Sequence, residues 1–255
     1  MKFGVLQIFQ NHGGALSDAR MWEEEITLGL LAEELGFDSL WAVEHHFEDY
    51  AACPDNTQYL SYMAGRTKRI TLATGAVILP WNQPIRVAEK LAMLDHLSGG
   101  RVIFGMGRGL ARREYQGFGI DMDTSRERFD EAADMILTAL DTGFIEGHGK
   151  FYLQARTAIR PRPLRGFRDR LYCIAMSPDS VEAAARRHIL GLKLAEMPLP
   201  ADGRSVARLA QRLRQRALRQ RQSPRRARPH DRVDPGVRRV TAGHQGRTSG
   251  RTHRL

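Results

Sequence analysis

Short apolar runs alternate with longer amphipathic segments over the first 200 residues. The apolar runs have the length and composition of strands, and they occupy residues 3–9, 39–43, 70–79, 101–106 and 171–175. Between them, apolar residues recur at helical spacing over 22–35, 87–94 and 129–140, with a less periodic helix around 58–65. Repeated strand-then-helix units predict an α/β fold with a parallel sheet, either open and doubly wound or closed as a (β/α) barrel.

Residues at the ends of the predicted helices support these boundaries. Ser17 or Asp18 can cap the first helix, and Gly36 follows its last turn. The spacing of Thr124 and Glu127 is that of a capping box, in which two side chains satisfy free N–H groups at a helix start. We therefore expect a further helix to begin near residue 124.

Composition excludes several classes of protein. The chain has no stretch of about 18 apolar residues that could span a membrane, and its N-terminus lacks the layout of a signal peptide. Cys53 and Cys173 are far apart and outside any C-x-x-C pair, so neither a disulfide framework nor a zinc site is indicated. We expect a cytoplasmic globular protein with reduced cysteines and no bound metal.

The net charge of +10 is concentrated at one end of the chain. Residues 201–255 contain 16 Arg and three Asp with no Lys or Glu, whereas residues 1–200 hold 23 basic and 26 acidic residues. The 201–255 segment also lacks Phe, Tyr, Trp, Ile and Met, so it cannot bury enough apolar surface to form a core. We expect a folded region over 1–200 and a disordered Arg-rich tail over 201–255.

Three explanations of the Arg-rich tail stay open. The segment can be a basic arm that binds nucleic acid, an ordinary disordered tail, or an out-of-frame translation of GC-rich coding sequence. Nucleic-acid binding is the weakest of these, because no aromatic residue is interleaved with the arginines for base stacking. Out-of-frame translation is favoured, because Arg, Ala, Gly and Pro have GC-rich codons. Function is therefore sought in residues 1–200.

The second predicted strand ends in Glu44, His45 and His46. In both parallel architectures, ligands bind at the carboxyl ends of the strands, which gives polar residues there special weight. Side chains alternate along a strand, so the two histidines should diverge, and a two-histidine metal site is not expected. His45 shares a face with Trp41 and Val43 and is the better candidate for an acid/base group, although polar residues also end strands for structural reasons.

The ends of three later strands carry further candidates. Gly75 and Ala76 leave the backbone bare enough to lie against a planar ring, although a glycine bulge explains them as well. Arg108, which lies between glycines, is a natural fork for a phosphate or carboxylate, with a surface ion pair as the alternative. Ser177 and Ser180 begin a helix whose free N–H groups can bind phosphate, although caps without ligands are commoner.

Taken together, these motifs resemble the bacterial luciferase-like family of flavin-dependent monooxygenases. The similarity runs from residue 1 to about 195 and rests on MKFG, GFDSLWAVEHHF, TLATGAVILP, QPIRVAEKLAMLDHLSGGR, FGMGRGLARREYQGFG and YCIAMSPDSVEAAA. It implies a (β/α)8 TIM barrel that binds reduced FMN supplied by a separate flavin reductase. O2 would then add to the flavin as a hydroperoxide, which oxidises a small organic substrate.

The resemblance also implies roles for residues at the strand ends. By position, His45 corresponds to the active-site histidine and Glu44 to the acidic residue before it. Gly75 and Ala76 correspond to a pair beside the flavin ring that is joined by a cis peptide, and Arg108 to the arginine directed at the flavin phosphate. The other implied contacts are Leu110 near the ring and Met176, Ser177 and Ser180 at the phosphate.

This chain departs from the family pattern in two respects. Met176 stands where luciferases have a glutamate, which removes a negative charge beside the phosphate. In addition, five strands are predicted where a closed barrel has eight, so we expect an incomplete, truncated barrel whose activity is open to test. The family resemblance suggests a homodimer for the intact protein. The alternatives are a deazaflavin-dependent oxidoreductase of the same superfamily and a nucleic-acid-binding protein that acts through the tail.

Overall fold

The computed structural model describes residues 2–175, 178–187 and 189–192. The strands within these ranges are β1 Gly4–Gln7, β2 Ser39–Ala42, β3 Thr71–Thr74, β4 Val77–Ile78, β5 Val102–Gly107, β6 Phe144–His148, β7 Leu153–Ala158, β8 Leu171–Ile174 and β9 Leu190–Leu192. Six of them form a parallel sheet in the order β1, β2, β3, β5, β8 and β9, and β4 pairs with the later part of β5. The predicted α/β class with a parallel sheet is confirmed.

Helices connect the strands of this sheet. They are α1 Asp18–Glu34, α2 Asn56–Arg66, α3 Pro84–Ser98, α4 Arg112–Gly117, α5 Ser125–Thr142 and α6 Pro178–Arg186. Ser17 caps α1 as predicted, because its Oγ accepts a hydrogen bond from Arg20 N at 3.3 Å. The predicted capping box at Thr124 is wrong. Thr124 has a helical backbone conformation, and its hydroxyl donates to Asp121 O at 2.7 Å and accepts from Arg128 Nε at 3.1 Å, without capping a backbone N–H of α5.

The longest predicted strand, over residues 70–79, is divided in the structure. β3 ends at Thr74, β4 begins at Val77, and the peptide bond between Gly75 and Ala76 that separates them is cis. The resemblance implied a cis bond at this pair. A short 3-10 turn over Leu79–Trp81 then leads the chain away from the sheet. The carboxyl end of this strand is therefore an irregular segment rather than a continuous extended run.

One face of the sheet is filled by the indole of Trp41. Its ring lies edge-on to Tyr172, with ring centroids 5.3 Å apart. A Cβ on Gly105 would lie 3.5 Å from the indole and only 2.1 Å from Thr74 O, so no side chain fits there. The absent side chain lets β3 and β5 approach closely, and Thr74 Oγ1 bonds to both the carbonyl and the N–H of Gly105.

The opposite face of the sheet packs on the helices. Leu40 of β2 and Leu72 of β3 are neighbours in register and are both fully buried. They belong to one apolar core with Leu60 of α2 and Leu91 of α3. Burial of such side chains is the main favourable term in folding. Because side chains alternate along a strand, burial of these residues against the helices determines which residues lie on the opposite face of the sheet.

An antiparallel hairpin of β6 and β7 lies between α5 and β8 and was not predicted. Its second strand, Leu153–Ala158, has no fully buried residue, so it lacks the apolar run that marked the other strands. In the first strand, Ile145 is fully buried. The hairpin inserts between two units of the strand-helix repeat without interrupting the parallel sheet.

In the described part of the chain, the parallel sheet has one strand beyond those formed by the five predicted runs. Leu190–Leu192 pairs in parallel with β8 and extends the sheet at that edge. The Arg-rich segment over 201–255 lies outside the described residues. No helix in the described ranges is both long and apolar enough to cross a membrane.

Candidate active site

The strand ends bring most of the predicted residues to one edge of the sheet. Glu44 and His45 follow β2, Gly75 and Ala76 lie between β3 and β4, and Arg108 follows β5. These strands are adjacent in the sheet, so their carboxyl ends meet. The predicted residues Met176 and Ser177 lie outside the described residues. Ser180 is described and occupies the third position of α6.

Glu44 is a buried carboxylate with a full set of donors. It is 5 % exposed and accepts hydrogen bonds from Ile78 N at 3.0 Å, Trp81 Nε1 at 2.7 Å and Asn82 Nδ2 at 2.8 Å. Ile78 is the last residue of β4, and Trp81 and Asn82 lie at the end of the turn that follows it. Glu44 therefore anchors this turn to the end of β2, and its contacts favour a positioning role.

His45 contacts a carboxylate that the sequence did not single out. Its Nδ1 lies 3.0 Å from Glu114 Oε1, and Glu114 is only 2 % exposed. The same oxygen accepts the backbone N–H of His46 at 2.8 Å. Glu114 belongs to α4 and is 69 residues away in sequence, so no local pattern points to it. Only the fold brings it to the end of β2.

His46 is enclosed by aromatic rings rather than open to the site. Its ring lies edge-on to Phe118, with centroids 4.7 Å apart, and to Trp81 at 6.0 Å. Its side chain is 13 % exposed, against 30 % for His45. Because β2 ends at Ala42, strand alternation does not extend to either histidine. The difference in exposure is the stronger reason for choosing His45.

The Gly75–Ala76 segment is held by an amide from α2. Asn56 Nδ2 donates to Ala42 O at 3.1 Å and to Ala76 O at 3.0 Å, and Gly75 N donates to Ala42 O at 2.7 Å. Asn56 is 1 % exposed, so these bonds form away from water. The backbone at this pair is thereby fixed by partners on the neighbouring strand and helix.

Arg108 lines an open cleft of about 320 Å³ beyond the end of β5. Two further arginines, Arg112 and Arg126, line the same cleft, and neither was predicted. Its remaining lining residues are Gly109, Leu110, Met122, Asp123 and Ser125. Leu110 is 85 % exposed. Three guanidinium groups against one carboxylate give the cleft a net positive charge, which suits an anionic ligand.

The charge of Arg126 also acts on Cys173 in β8. Burial raises the pKa of the Cys173 thiol to about 11, and the nearby positive charges of Arg187 and Arg126 oppose that rise. Cys173 lies in β8, one strand away from the β5 that carries Arg108. Arg126 is in the first turn of α5, where an arginine carries no sequence signal of a site.

The helix α4 supports the loop that carries Arg108. Tyr115 is 1 % exposed, and its hydroxyl donates to the carbonyl oxygen of Arg108. Burial raises the pKa of Tyr115, while a hydrogen bond with Ser125 and the charge of Arg108 act in the opposite direction. The phenol therefore stays protonated at neutral pH and remains a donor. The described residues contain no cluster of three or more His, Cys, Asp or Glu side chains suited to a metal ion.

Comparison with known proteins shows the family to which the sequence belongs. The sequence model of the luciferase-like monooxygenase family matches residues 1–242. The chain belongs to that family. The match extends beyond residue 195, where the recognisable motifs end, and includes much of the Arg-rich segment. The predicted recognition as a luciferase-like, flavin-dependent monooxygenase family member is thus confirmed.

Two curated relatives define the extent of the similarity. The alkanal monooxygenase alpha chain of Photorhabdus luminescens is 30 % identical over 187 residues, which cover 73 % of this chain and 51 % of the relative. The oxygenase component of the flavin-dependent trigonelline monooxygenase of Acinetobacter baylyi is 28 % identical over 211 residues, covering 82 % and 58 %. The chain therefore spans between half and three fifths of the length of these relatives.

Solved structures confirm the TIM-barrel type of fold. Monooxygenase RslO1 from Streptomyces bottropensis superimposes with a TM-score of 0.70 at 34 % identity, covering 86 % of this chain and 66 % of that one. The oxygenating constituent of 3,6-diketocamphane monooxygenase from Pseudomonas putida, solved with FMN, has a TM-score of 0.67 at 18 % identity, covering 86 % and 63 %. An F420-dependent secondary alcohol dehydrogenase superimposes with a TM-score of 0.64 at 17 % identity. The match covers 86 % of this chain and 64 % of the dehydrogenase. The last two similarities concern the fold alone.

Proposed function

We propose that this chain carries the flavin-binding part of a monooxygenase that uses reduced FMN and O2 to oxidise a small organic substrate. The observation that carries the proposal is the cleft beyond β5, which is lined by three arginines and Ser125. Guanidinium groups bind phosphate oxygens through paired N–H donors, so this set of side chains suits a phosphate group. The residues present therefore fit the phosphate end of FMN.

The phosphate would be held from two sides of the cleft. Arg108 and Arg126 supply positive charge, and the hydroxyl of Ser125 adds a further donor. Ser177 and Ser180, assigned by position, would complete the site from the start of α6, with Met176 beside them. Asp123 is the one acidic residue in the lining, and it leaves the cleft with an excess of positive charge.

The flavin ring would lie beside the backbone of Gly75 and Ala76. Leu110 is largely exposed, so contact with an apolar ring would remove its side chain from water, which is favourable. When bound, reduced FMN would supply the electrons that activate O2 for insertion of one oxygen atom into the substrate. Within the chain, His45 would hold or move a proton at its imidazole, and Glu44 would fix the turn beside it.

Two partners follow from this proposal. A separate flavin reductase would supply the reduced cofactor, consistent with the name of the trigonelline relative, which is an oxygenase component. A small organic molecule would be the substrate. We expect a homodimer, which is tested by the mass of the protein in solution. The deazaflavin alternative finds support in the F420-dependent neighbour, which shares the fold at low identity.

The phosphate assignment is tested by comparing FMN with riboflavin, which lacks the phosphate. We expect the full 255-residue chain to bind reduced FMN more tightly than reduced riboflavin under anaerobic titration. The Arg108→Met and Arg126→Met variants should each weaken FMN binding by about tenfold to a hundredfold, the value of a hydrogen bond to a charged group. Riboflavin binding should change little.

Arg113→Met is the matched control for these variants. Arg113 lies in the same helix as Arg112 but pairs with Glu48 at 3.3 Å and does not line the cleft. It should leave FMN affinity unchanged. Equal binding of FMN and riboflavin by the unmodified chain would contradict the phosphate site. Tighter binding of deazaflavin F420 than of FMN would replace the proposed cofactor.

A further inference from the structure

Two neighbouring histidines meet buried carboxylates through different ring nitrogens. His45 approaches Glu114 with Nδ1, at 3.0 Å, whereas His46 approaches Glu44 with Nε2, at 3.4 Å. Both carboxylates are nearly inaccessible to water, with side chains 3 % and 5 % exposed. A neutral imidazole carries its proton on one nitrogen only, and the partner of each nitrogen decides which one.

At His45 the proton has to be on Nδ1. Glu114 Oε1 already accepts the backbone N–H of His46 at 2.8 Å, so this oxygen acts as an acceptor. The other oxygen, Oε2, has no hydrogen-bond partner among the described residues. A carboxylate offers only acceptors, so the ring nitrogen that faces Glu114 has to be the donor. That nitrogen is Nδ1.

At His46 the opposite arrangement holds. Glu44 Oε1 accepts from Trp81 Nε1 at 2.7 Å and from Asn82 Nδ2 at 2.8 Å. An oxygen surrounded by donors is itself an acceptor, so His46 Nε2 has to carry the proton that faces it. The imidazole of His46 is also packed edge-on against Phe118 and Trp81. It is a fixed structural donor.

We propose that Glu114 is a positioning residue that holds His45 in the Nδ1–H tautomer, while Glu44 holds His46 in the Nε2–H tautomer. His45 then presents an unprotonated Nε2, and its side chain is 30 % exposed. Its other neighbours are the ring of Tyr50, edge-on at 5.6 Å, and Cys53 O, which accepts its backbone N–H. The inference deepens the proposed function, on which its catalytic meaning rests.

The consequence for proton transfer is direct. Nε2 of His45 can accept a proton from an O–H or N–H group, forming an N–H bond as that bond breaks. The resulting imidazolium is then paired with Glu114 through Nδ1–H, and the proton is later returned from Nε2. A carboxylate that orients the base in this way secures the reactive tautomer before a substrate arrives. His46, with Nε2 occupied, cannot substitute for it.

The tautomers can be read directly by nuclear magnetic resonance of the full chain labelled with nitrogen-15 at histidine, without any cofactor. The chain has nine histidines, and the His45→Gln and His46→Gln variants assign the two signals of interest by their loss. We expect Nδ1–H at His45 and Nε2–H at His46 in the unmodified protein. A predominantly Nε2–H form of His45 would overturn the proposal without need of any further variant.

Two variants of Glu114 separate orientation from structure. Glu114→Gln keeps an acceptor oxygen, so His45 should keep the Nδ1–H tautomer. Glu114→Ala removes the acceptor, so His45 should populate both tautomers. Circular dichroism establishes that each variant is folded. An unchanged tautomer in a folded Glu114→Ala protein would refute the role of Glu114. Glu48→Gln, at the exposed partner of Arg113, should alter neither histidine.

Turnover gives a second readout that separates this inference from the proposed function. If both are right, Glu114→Ala should lower kcat by roughly a hundredfold or more, with KM and FMN affinity nearly unchanged, and Glu114→Gln should recover part of the loss. A chain that shows the two tautomers but binds no FMN would reject the proposed function and retain the role of Glu114. Equal losses of kcat in the Ala and Gln variants, with the tautomer kept, would reject orientation as the catalytic contribution.

Discussion

A buried ion pair between α3 and the residue that precedes β8 offers a sharp test of the energetics of this fold. Asp95 is fully buried, and the side chain of Arg170 is 7 % exposed. Arg170 Nη1 donates to Asp95 Oδ1 at 2.6 Å, and further bonds reach Val102 O at 3.0 Å and Arg165 O at 2.7 Å. The guanidinium thus connects the start of β5 to the loop before β8. The perturbation is Arg170→Met, which keeps an apolar stem and removes the charge.

The cost of this change follows from what is left behind. Among the described residues, the carboxylate of Asp95 would retain only the backbone N–H of Arg165, at 2.9 Å, and its charge would be buried without a counterion. Breaking a buried pair in this way costs about 3–5 kcal/mol. That amount is a large share of the roughly 5–15 kcal/mol by which whole domains are stable. For a chain of this size it corresponds to a fall of about 6–20 °C in Tm.

The assay is urea unfolding of the full chain followed by circular dichroism. Arg168→Met serves as the control. Arg168 is only two positions from Arg170 in the sequence, but it pairs with Asp141 at a highly exposed site. We expect no measurable change in its midpoint. Adding Asp95→Asn to Arg170→Met should restore part of the stability, since it removes the uncompensated charge. A double variant less stable than Arg170→Met alone would refute the reasoning.

Two further predictions concern titratable groups outside the site. Burial raises the pKa of Glu25, so its contribution to stability is full below the ordinary carboxyl pKa and is lost as pH rises through the raised value. Glu25→Gln should therefore gain stability relative to the unmodified chain as pH rises, and a difference in urea midpoint that is constant with pH would contradict this. Burial raises the pKa of Cys53 to about 12 and that of Cys173 to about 11. Both thiols should react with a thiol-specific disulfide reagent only after unfolding, and rapid reaction in the native protein would refute their protection.

Much of the fold could be predicted because little of the described parallel sheet is exposed. The five apolar runs all became strands, since continuous burial leaves a continuous apolar signal in the sequence. The β6–β7 hairpin could not be predicted in the same way, because Leu153–Ala158 is mostly exposed and carries no such signal. The capping box failed because Asp121 had already begun a turn three residues earlier, which placed Thr124 inside it.

The residues of the candidate site also differ in how far the sequence could predict them. His45 and Arg108 stand at strand ends, where position alone gives them weight, and the structure places them at one edge of the sheet. Glu114 and Arg126 could not be found, because each lies in a helix and reaches the site only through tertiary contacts. Residues that act by contacting other functional residues leave no periodicity or motif of their own.

The short helix α4 has a consequence for how this site can change. Glu114 bonds to His45, and the next residue, Tyr115, bonds to the carbonyl of Arg108. A single turn of helix therefore carries the supports of both the imidazole and the anion cleft. Transplanting the site into another barrel would require residues 108–117 to be moved as one block. In divergent lineages, substitutions that shift the backbone of this helix should accordingly be accompanied by others in the block, because such a shift moves both supports, whereas truncation of one side chain affects only its own contact.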